Sequence, residues 1–342
     1  MFSLPLSAQY VVDSVQDGTD IDPGDGVCAT ATGVCTFRAA LQEASALGVP
    51  ATIDLPEGTH NWVLGELLLE EGDITVNGAG ARTTFVDAAG ISRFMELDGN
   101  ATYVRFRDME FRNGFDNNDP GGAIESDAEL LLVENVVFRD CVTDDAFGGA
   151  IHNRENLEVY SSAFINCIAN GNDGGNGGGG GGGSLAGGGG ICAWSGTSTI
   201  LENTTFIGCV AEGGRGGNAG AGGNGGNGGN GIGSFGGGGD GGDVSTNPGN
   251  VDATTAGFGG GGGGGGIDTN GSGWLNTNPV AGDGSNGLAV GGNGGDANTT
   301  TAGAGGGGGA LGGAVFLRNG TLTVRHCTMS CLLYTSPSPR DA

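Results

Sequence analysis

The sequence contains no lysine, and its 12 basic residues, all arginines, stand against 38 aspartates and glutamates. The formal net charge is −26 at pH 7. A surface of this charge repels nucleic acid and anionic lipid at long range and attracts cations such as calcium. We therefore expect no nucleic-acid partner, and we note that high net charge also serves solubility.

Long apolar runs are missing as well. No stretch reaches the roughly 18 residues that a membrane-spanning helix needs, so no such segment is expected. Residues 1–9 are short and partly apolar, and they fit the tail of a signal peptide that ends near Ala8. Proline is scarce, with 9 residues, and the 80 glycines show no Gly-X-Y period combined with abundant proline, which excludes a collagen helix.

The segment 331–342 differs from the rest of the chain. It begins CLLYTSPSPRD, which resembles the translation of a transposase-type sequencing adapter. Such scars are not part of a fold. We therefore expect this segment to be an artefact, the native chain to continue past Ser330, and Cys331 to be left out of the cysteine count.

The main positive signal is an internal repeat with two halves. One half is a Gly-Gly pair followed by a small and an aliphatic residue, and the other is an aliphatic residue, then Phe five positions later, then Cys after three more. The aliphatic residue of the first half precedes the aromatic or Met position of the second by 13 to 15 residues. The turn glycines are Gly121, Gly122, Gly148, Gly149, Gly312 and Gly313, and the Phe and Cys positions are Phe111, Phe138, Phe164, Phe206, Cys141, Cys167 and Cys209.

This near-constant spacing predicts one solenoid coil per repeat. We expect an all-β fold, a right-handed parallel β-helix over residues 51–330, with coils stacked about 4.8 Å apart. Phe would stack on Phe and Cys on Cys, which fills a continuous core that no single repeat buries alone. The segments between each Cys and the next Gly-Gly pair vary in length, so we expect Gly-rich loops on one side at 168–187 and 210–311.

Residues 10–50 have a different pattern and predict a cap. An Asp-rich loop is followed by apolar residues at three- and four-residue steps from Phe37 to Leu47, which is typical of an amphipathic helix. Thr36 is the expected N-cap and Gly48 the stop signal. A helix here would cover the open end of the sheet stack.

The capping segment resembles the CSLREA domain found at the start of secreted β-helix proteins. The resemblance lies in Val12-Asp13, Asp17, Asp22, Gly24-Asp25-Gly26 and the string CTFRAALQEA at 35–44, where Thr, Phe and Ala replace the Ser, Leu and Glu of the family name. It implies an exported β-helix and does not by itself imply a catalytic activity.

The repeat resembles that of polymorphic outer-membrane proteins, whose units pair a GG(A/G)(I/L/V) motif with FxxN. Cys141, Cys167 and Cys209 stand here where that family has Asn. Together the two resemblances imply a protein that is secreted or held at the outer membrane or cell surface.

The cysteines suggest one covalent link. Cys28 and Cys35 are close in sequence, and in an exported chain we expect them to form a disulfide. The Cys141, Cys167 and Cys209 positions are expected to be small buried side chains. The alternative is one disulfide between neighbouring coils.

The aspartates of the capping loop suggest a weak calcium site. Asp17, Asp20, Asp22 and Asp25 are crowded in one loop, and calcium takes several carboxylate and carbonyl oxygens. The alternative is that Asp and Gly simply form turns there. No other cofactor is expected.

Function is expected to be structural or adhesin-like. A non-catalytic protein would bind an extracellular glycan or a protein surface through its lateral face or its Gly-rich loops. The alternative is a carbohydrate-active enzyme, a polysaccharide lyase or a glycosidase, which needs acidic, Arg or His residues grouped on one face of adjacent coils. Asp144, Asp145 and His152 are the candidates for that alternative.

Overall fold

A computed structural model describes residues 7–117, 119–144, 147–173, 184, 186–194, 198–215, 310–330 and 332–335. Most of the Gly-rich stretches expected to form loops, 174–183 and 216–309, lie outside the described residues. The same is true of residues 1–6 and 336–342. In the described part of the chain, no helix is long and apolar enough to span a bilayer.

Helix α1 (Phe37–Leu47) lies where the apolar spacing predicts it. The Thr36 hydroxyl accepts a hydrogen bond from the Ala39 N–H, and the helix ends at Gly48 in the left-handed conformation with φ 63°. Its apolar face is buried from Phe37 to Ala44 against β1 (Ala8–Val11), β2 (Ala51–Leu55), β4 (Leu67–Leu69) and β5 (Gly72–Gly78), the first strands of the stack, and Leu47 is partly buried.

The first of three parallel sheets has 13 strands and turns a corner along its length. Two long strands, β8 and β11, pass through the corner unbroken, whereas later coils break into two strands there. Besides β1, β2 and β5, it contains β3 (Gly58–Asn61), β6 (Thr84–Asp87), β8 (Ala101–Arg112), β11 (Leu130–Arg139), β14 (Asn156–Tyr160), β15 (Ala163–Ile165), β19 (Ser198–Glu202), β20 (Thr205–Ile207), β24 (Thr321–Arg325) and β25 (Thr328–Ser330).

The other two main sheets consist of short strands that complete each coil. The second sheet comprises β4, β7 (Met95–Leu97), β10 (Ile124–Ser126), β13 (Ile151–Asn153), β18 (Ile191–Ala193) and β23 (Val315–Leu317). The third comprises β9 (Phe115–Asp116), β12 (Val142–Thr143), β16 (Ile168–Asn170), β21 (Val210–Glu212) and β26 (Leu333–Thr335), and a separate pair joins β17 (Ala186–Gly187) to β22 (Ala310–Leu311). β26 lies in segment 331–342, which was expected to stay outside the fold, yet it pairs with β21.

The named strand pairs are all parallel, which confirms the predicted right-handed parallel β-helix. Equivalent repeat positions are in register, since Ile124 pairs with Ile151 and Ile151 with Ile191. Crossover connections between parallel strands are right-handed in nearly all proteins, because of strand twist. The fold class therefore follows from the same spacing that defines the repeat.

The core contains a column of stacked phenylalanines. Phe111, Phe138, Phe164 and Phe206 are fully buried, and neighbouring ring centroids are 5.4, 5.0 and 4.8 Å apart. The planes of successive rings deviate by only 15°, 11° and 8°. Each ring therefore packs on the next coil, as expected for a solenoid.

Each corner of the coil carries a column of residues in the left-handed conformation, with φ between 50° and 87°. Two columns consist mainly of Asn and Asp, which adopt this conformation more readily than most side chains do. The third consists of glycines. The columns are Asp108, Asn135, Ser161, Asn203 and His326; then Asn113, Asp140, Asn166 and Gly208; then Gly121, Gly148, Gly188 and Gly312.

The Gly-Gly pairs have a steric cause. A Cβ on Gly121, Gly148 or Gly312 would overlap the carbonyl oxygen of the residue three positions on. A Cβ on the second glycine, Gly122 or Gly149, would overlap backbone of the third sheet and of the next Gly-Gly pair. The same holds for Gly189, where a Cβ would overlap the carbonyl oxygen of Gly313 in the last pair.

Small hydrogen-bond donors follow the left-handed residues of the two polar columns. Cys141, Cys167 and Cys209 are buried free thiols, and each lies within hydrogen-bonding distance of a carbonyl two positions earlier, at 3.5, 3.6 and 3.9 Å. Ser162 and Thr204 do the same at the other corner, at 2.8 and 3.1 Å. Cys167 and Cys209 also lie 3.6 and 3.5 Å from the carbonyls of Phe138 and Phe164 in the preceding coil. The thiols thus satisfy a corner carbonyl as well as filling the core.

The structure differs from expectation at the start of the variable segments. The residues that follow each cysteine, in β12, β16 and β21, belong to the third sheet and not to loops. Ala169 and Ala211 are fully buried, and Ala211 packs with Ala186 in a small cluster separate from the main core. Strands of two or three residues are too short to show an alternating pattern in the sequence.

Candidate functional site

The two cysteines of the capping loop form a disulfide. Cys28 and Cys35 are bonded, with their Cα atoms 5.2 Å apart. The bond closes the loop that precedes α1 and lies beside its N-cap residue, Thr36.

The four aspartates of the same loop do not form the calcium site considered above. Asp17 accepts hydrogen bonds from Arg38 at 2.7 and 3.2 Å and from the N–H groups of Val63 and Leu64 at 2.6 and 2.7 Å. Arg38 reaches it from α1, is only 3% exposed and lies 4.0 Å from the Trp62 ring centroid. An arginine therefore occupies the position where a cation was expected.

The other loop aspartates stabilise turns. Asp20 accepts from the N–H groups of Asp22 and Ala29, and Asp25 accepts from Val27. Asp22 is exposed. Among the residues that the structure describes, no group of three or more His, Cys, Asp or Glu side chains is arranged to hold a metal ion.

A different set of charged residues is grouped on the outer side of the second sheet. Side chains alternate between the two faces of a strand, so the residue after each core Ile points away from the core. At this position the strands present Glu96, Glu125, His152 and Cys192 in one register column. Residues far apart in the sequence are thereby placed one coil apart.

Arg93 lies at the centre of this group. Its side chain is 2% exposed, with Nε 2.7 Å from Glu66 and Nη1 2.6 Å from Glu125. Its Nη2 lies 3.6 Å from Glu96 and 4.0 Å from Asp119. One buried guanidinium thus holds carboxylates from four separate segments of the chain.

Glu125 links Arg93 to the next coil. Its second oxygen, Oε1, lies 2.5 Å from Nη2 of Arg154 and 3.7 Å from Nδ1 of His152. Burial acts to raise the pKa of Glu125, but the His152 ring and the charges of Arg93 and Arg154 outweigh it and lower that pKa to about 2. Glu125 is therefore ionised, with both oxygens engaged by arginines.

His152 is as enclosed as Arg93. Its side chain is 2% exposed, and neither ring nitrogen makes a hydrogen bond. Burial lowers the pKa of His152, so the ring is neutral at pH 7. Trp194 packs against it edge to face, with centroids 5.6 Å apart.

A second register column lies beside the first. Backbone hydrogen bonds align Asp98, Asp127, Arg154, Trp194 and Arg318 on successive coils. Arg154 contacts both oxygens of Asp127 at 3.1 Å. The guanidinium of Arg318 lies 4.3 Å from the Trp194 ring centroid.

A groove of about 510 Å³ opens next to this second column. Four charged residues and Gly99 form its walls, polar and apolar atoms contribute about equally to the lining surface, and the Asp127–Arg154 pair lies in it. The lining residues are Gly99, Asp127, Glu129, Arg154 and Glu155. The groove presents both hydrogen-bond donors and acceptors to solvent.

The residues considered for a glycosidase are not grouped in this way. Asp144 follows β12 in the third sheet and accepts from Asn170 at 3.0 Å, whereas His152 belongs to the second sheet. Asp145 lies outside the described residues. Sequence reasoning missed Arg93, Glu125 and Arg154, although the 27-residue step from Glu125 to His152 equals one coil and was available as a signal.

Comparisons with known proteins gave distant structural likenesses. No protein family model matches the chain, and no curated protein matches its sequence. Pectin methylesterase PemA from Erwinia chrysanthemi is similar over 60% of this chain and 55% of its own, with 11% identity and a TM-score of 0.30. A pectin methylesterase in complex with hexasaccharide VII is similar over 60% and 67%, with 11% identity and a TM-score of 0.28. The chain thus spans just over half the length of the Erwinia protein.

Proposed function

We propose that this chain is an exported, non-catalytic β-helix protein that binds an extracellular glycan along the outer side of its second sheet. The observation that carries the proposal is the groove beside the Asp127–Arg154 pair. Saccharide hydroxyls both donate and accept hydrogen bonds, and a fixed carboxylate–guanidinium pair offers both functions side by side. The fold makes these groups rigid, because each is anchored in a stacked coil.

The position of Trp194 supports the same proposal. It lies one coil beyond Arg154 in the register column and is half-buried. Binding sites combine apolar surface with a few fixed polar groups. Tryptophan suits the edge of such a site, because its ring is apolar and carries one polar N–H. A ligand chain that extends along the column from the groove would reach this ring.

The state of Glu125 argues against catalysis at this site. A catalytic carboxylate needs an oxygen free to take a proton or attack a substrate. Glu125 is 5% exposed, and each of its oxygens already contacts an arginine. Its negative charge therefore stabilises the outer side of the second sheet by pairing with Arg93 and Arg154.

Export is part of the proposal and is supported by the Cys28–Cys35 disulfide. Disulfides persist in oxidising compartments and are rare in reducing ones. The resemblance to the CSLREA domain favours the same location.

The test is a binding experiment with a matched control. Trp194→Ala should reduce affinity for a bound oligosaccharide at least fivefold in isothermal titration, whereas Tyr103→Ala, which removes a half-buried aromatic ring from the first sheet, should leave it unchanged. Equal effects of the two changes, or none of either, would count against the groove as the binding site.

The enzymatic alternative keeps one specific observation in its favour. Glu96 and Asp119 are 42% and 62% exposed, and both lie within 4.0 Å of the same nitrogen of Arg93. Glycoside hydrolysis uses two carboxylates on either side of the scissile bond. Release of reducing ends from a panel of polysaccharides, abolished by Glu96→Gln and kept by Glu57→Gln, would establish that alternative; the proposed function predicts no release.

A further inference from the structure

We propose that Cys167 and Cys209 are a modification site, at which a small-molecule disulfide oxidises the two thiols to a disulfide that links neighbouring coils. In the structure both thiols are free. The inference takes from the proposed function only export to an oxidising compartment, and it does not depend on glycan binding. It follows from the register of the coils and from the contacts of the two sulfurs.

Cys167 and Cys209 occupy equivalent positions on neighbouring coils. The residues two positions before them, Ile165 and Ile207, are paired, and so are the residues immediately after them. The two cysteines are therefore in register, on coils about 4.8 Å apart. A disulfide usually joins residues whose Cα atoms are about 4.4–6.8 Å apart, so the spacing of the coils permits the bond.

The two sulfurs are also in contact. The Sγ of Cys209 reaches back to the coil of Cys167 and lies 3.5 Å from the carbonyl oxygen of Phe164. A hydrogen bond from the Cys167 thiol lowers the pKa of Cys209, although burial opposes it. Burial raises the pKa of Cys167 instead. Cys209 is therefore the thiol of this pair that more readily forms a thiolate, which is the form that attacks a disulfide.

Cys141 is the competing neighbour of Cys167, because it lies in register on the other side. A side-chain hydrogen bond fixes the corner between those two coils, since the Asn166 side chain donates to Asp140 at 3.1 Å. The equivalent residue at the next corner is Gly208, which has no side chain to form such a bond. Glycine backbone adjusts more easily than that of other residues. That corner can therefore move more readily to bring two sulfurs to bonding distance.

Oxidation leaves the nearby corner carbonyls with hydrogen-bond partners. The carbonyls two positions before the cysteines, at Ile165 and Ile207, lie close to the thiols but also accept backbone hydrogen bonds. The N–H of Asp140 donates to Ile165 at 2.9 Å, and that of Asn166 donates to Ile207 at 2.8 Å. Loss of the two thiol hydrogens therefore leaves neither carbonyl unpaired.

The reaction is a thiol–disulfide exchange that consumes one small-molecule disulfide, such as oxidised glutathione. The Cys209 thiolate attacks one sulfur of that disulfide and releases the first small thiol. The Cys167 thiolate then attacks the Cys209 sulfur of the mixed disulfide and releases the second. Two electrons pass from the protein to the small disulfide, and the two thiol protons end on the released thiols. Because both side chains are fully buried, we expect fast oxidation during refolding and slow oxidation of the folded chain.

The experiment refolds the full reduced chain in a buffer of reduced and oxidised glutathione, blocks free thiols with iodoacetamide and maps the cysteine peptides by mass spectrometry. The digestion must cut after Glu and Asp, because no Arg or Lys lies between residues 154 and 215. We expect a peptide that contains Cys167 linked to one that contains Cys209, with Cys141 alkylated. The Cys28–Cys35 disulfide in the same sample shows that the buffer is oxidising.

Two variants separate the disulfide from the packing of the ladder. Cys167→Ala and Cys141→Ala each remove a fully buried thiol. Urea unfolding with and without reductant should give an unfolding equilibrium constant at least tenfold smaller for the oxidised unchanged chain. Cys141→Ala should keep this difference, and Cys167→Ala should keep only the part that the Cys28–Cys35 disulfide supplies. Lost packing alone would destabilise the oxidised and reduced forms equally.

The outcomes are distinguishable. Alkylation of both Cys167 and Cys209 in a sample where Cys28–Cys35 has formed would overturn the proposal, and so would a link from Cys167 to Cys141. The peptide map of the unchanged chain decides this even if a variant does not fold. Oligosaccharide binding, measured on the same samples, is a separate readout, so the absence of either result leaves the other standing.

Discussion

Gly149 shows how the absence of a side chain allows two sheets of a coil to approach each other closely. At this position the second and third sheets approach so closely that a Cβ would overlap the carbonyl of Gly189 and the backbone of Ile168. The first glycine of the pair, Gly148, has φ 70° and faces a further carbonyl. Both glycines are therefore required, each for a different contact.

Gly149→Ala should be strongly destabilising. The overlap is with backbone atoms of the next Gly-Gly pair and of the third sheet, which cannot move aside, so we expect a loss of about 3 kcal/mol or more in the free energy of unfolding, at the level of severe overpacking. Gly99→Ala is the control, because a Cβ there meets the Asp127 carbonyl only at 3.7 Å. Urea denaturation measures both, and equal small losses would contradict the steric explanation.

The polar residues in the left-handed conformation at the corners could not be predicted from the sequence. The Gly-Gly pairs are recognisable because their composition repeats. Asn135, Ser161 and Asn203 share only a backbone conformation, with φ 53°, 50° and 53°. Because several polar residues tolerate that conformation, no single residue type recurs to reveal the column.

At the scale of elements, stability comes from columns that pass from coil to coil. Phe164 contacts Phe138 on one side and Phe206 on the other, at centroid distances of 5.0 and 4.8 Å. A solenoid is stabilised by such nearest-neighbour contacts. Removing one ring therefore affects two interfaces.

Phe164→Ala should cost about 3–5 kcal/mol, the range for large-to-small changes at fully buried aromatic positions. Phe85→Ala is the matched control, since that ring is half-exposed under the Arg112 guanidinium, and its loss should be smaller by about 2 kcal/mol. Thermal and urea unfolding give both values. A small loss in unfolding free energy for Phe164→Ala would show that the phenylalanine column contributes little to the stability of the core.

The elements were predictable to different degrees for a physical reason. The Phe and Cys columns recur at nearly fixed spacing, and α1 has a full apolar stripe with caps. The third sheet was missed because β12 and β9 have two residues each, too few for a pattern. The proposed calcium loop was misread because Arg38 reaches Asp17 from a helix 21 residues later in the chain.

At the scale of the whole molecule, stacking creates a charged face that no local motif contains. Arg93, Glu125 and Arg154 lie on three successive coils and contact one another directly or through a shared carboxylate. Their sequence separations are about one coil each. The site could be predicted only once the coil length and register were both known.

The stability of the molecule should fall as the pH is lowered from 8 to 5. Burial lowers the pKa of both His60 and His152, so the unfolded chain binds more protons than the folded one as the pH falls through 6.5. The contribution of the two neutral histidines to the free energy of unfolding is fully present above pH 6.5 and is lost as the pH falls through their lowered pKa values. Glu125, with its pKa near 2, adds a loss only below about 4.5.

Urea unfolding at pH 8, 6 and 5 measures this dependence. His152→Gln should reduce the drop in unfolding free energy between pH 8 and 5, while His60 retains its share. An unchanged drop in the variant would show that His152 is not the buried neutral group described above.

The central claim is that a glycan binds along the outer side of the second sheet, and hydrogen exchange of the full chain with and without an oligosaccharide that it binds tests it most directly. The account predicts slower exchange in peptides that cover 93–99, 125–129, 152–155 and 191–194, with no change in 101–112 or 130–139. Protection confined to the first sheet, or to the capping loop, would contradict it.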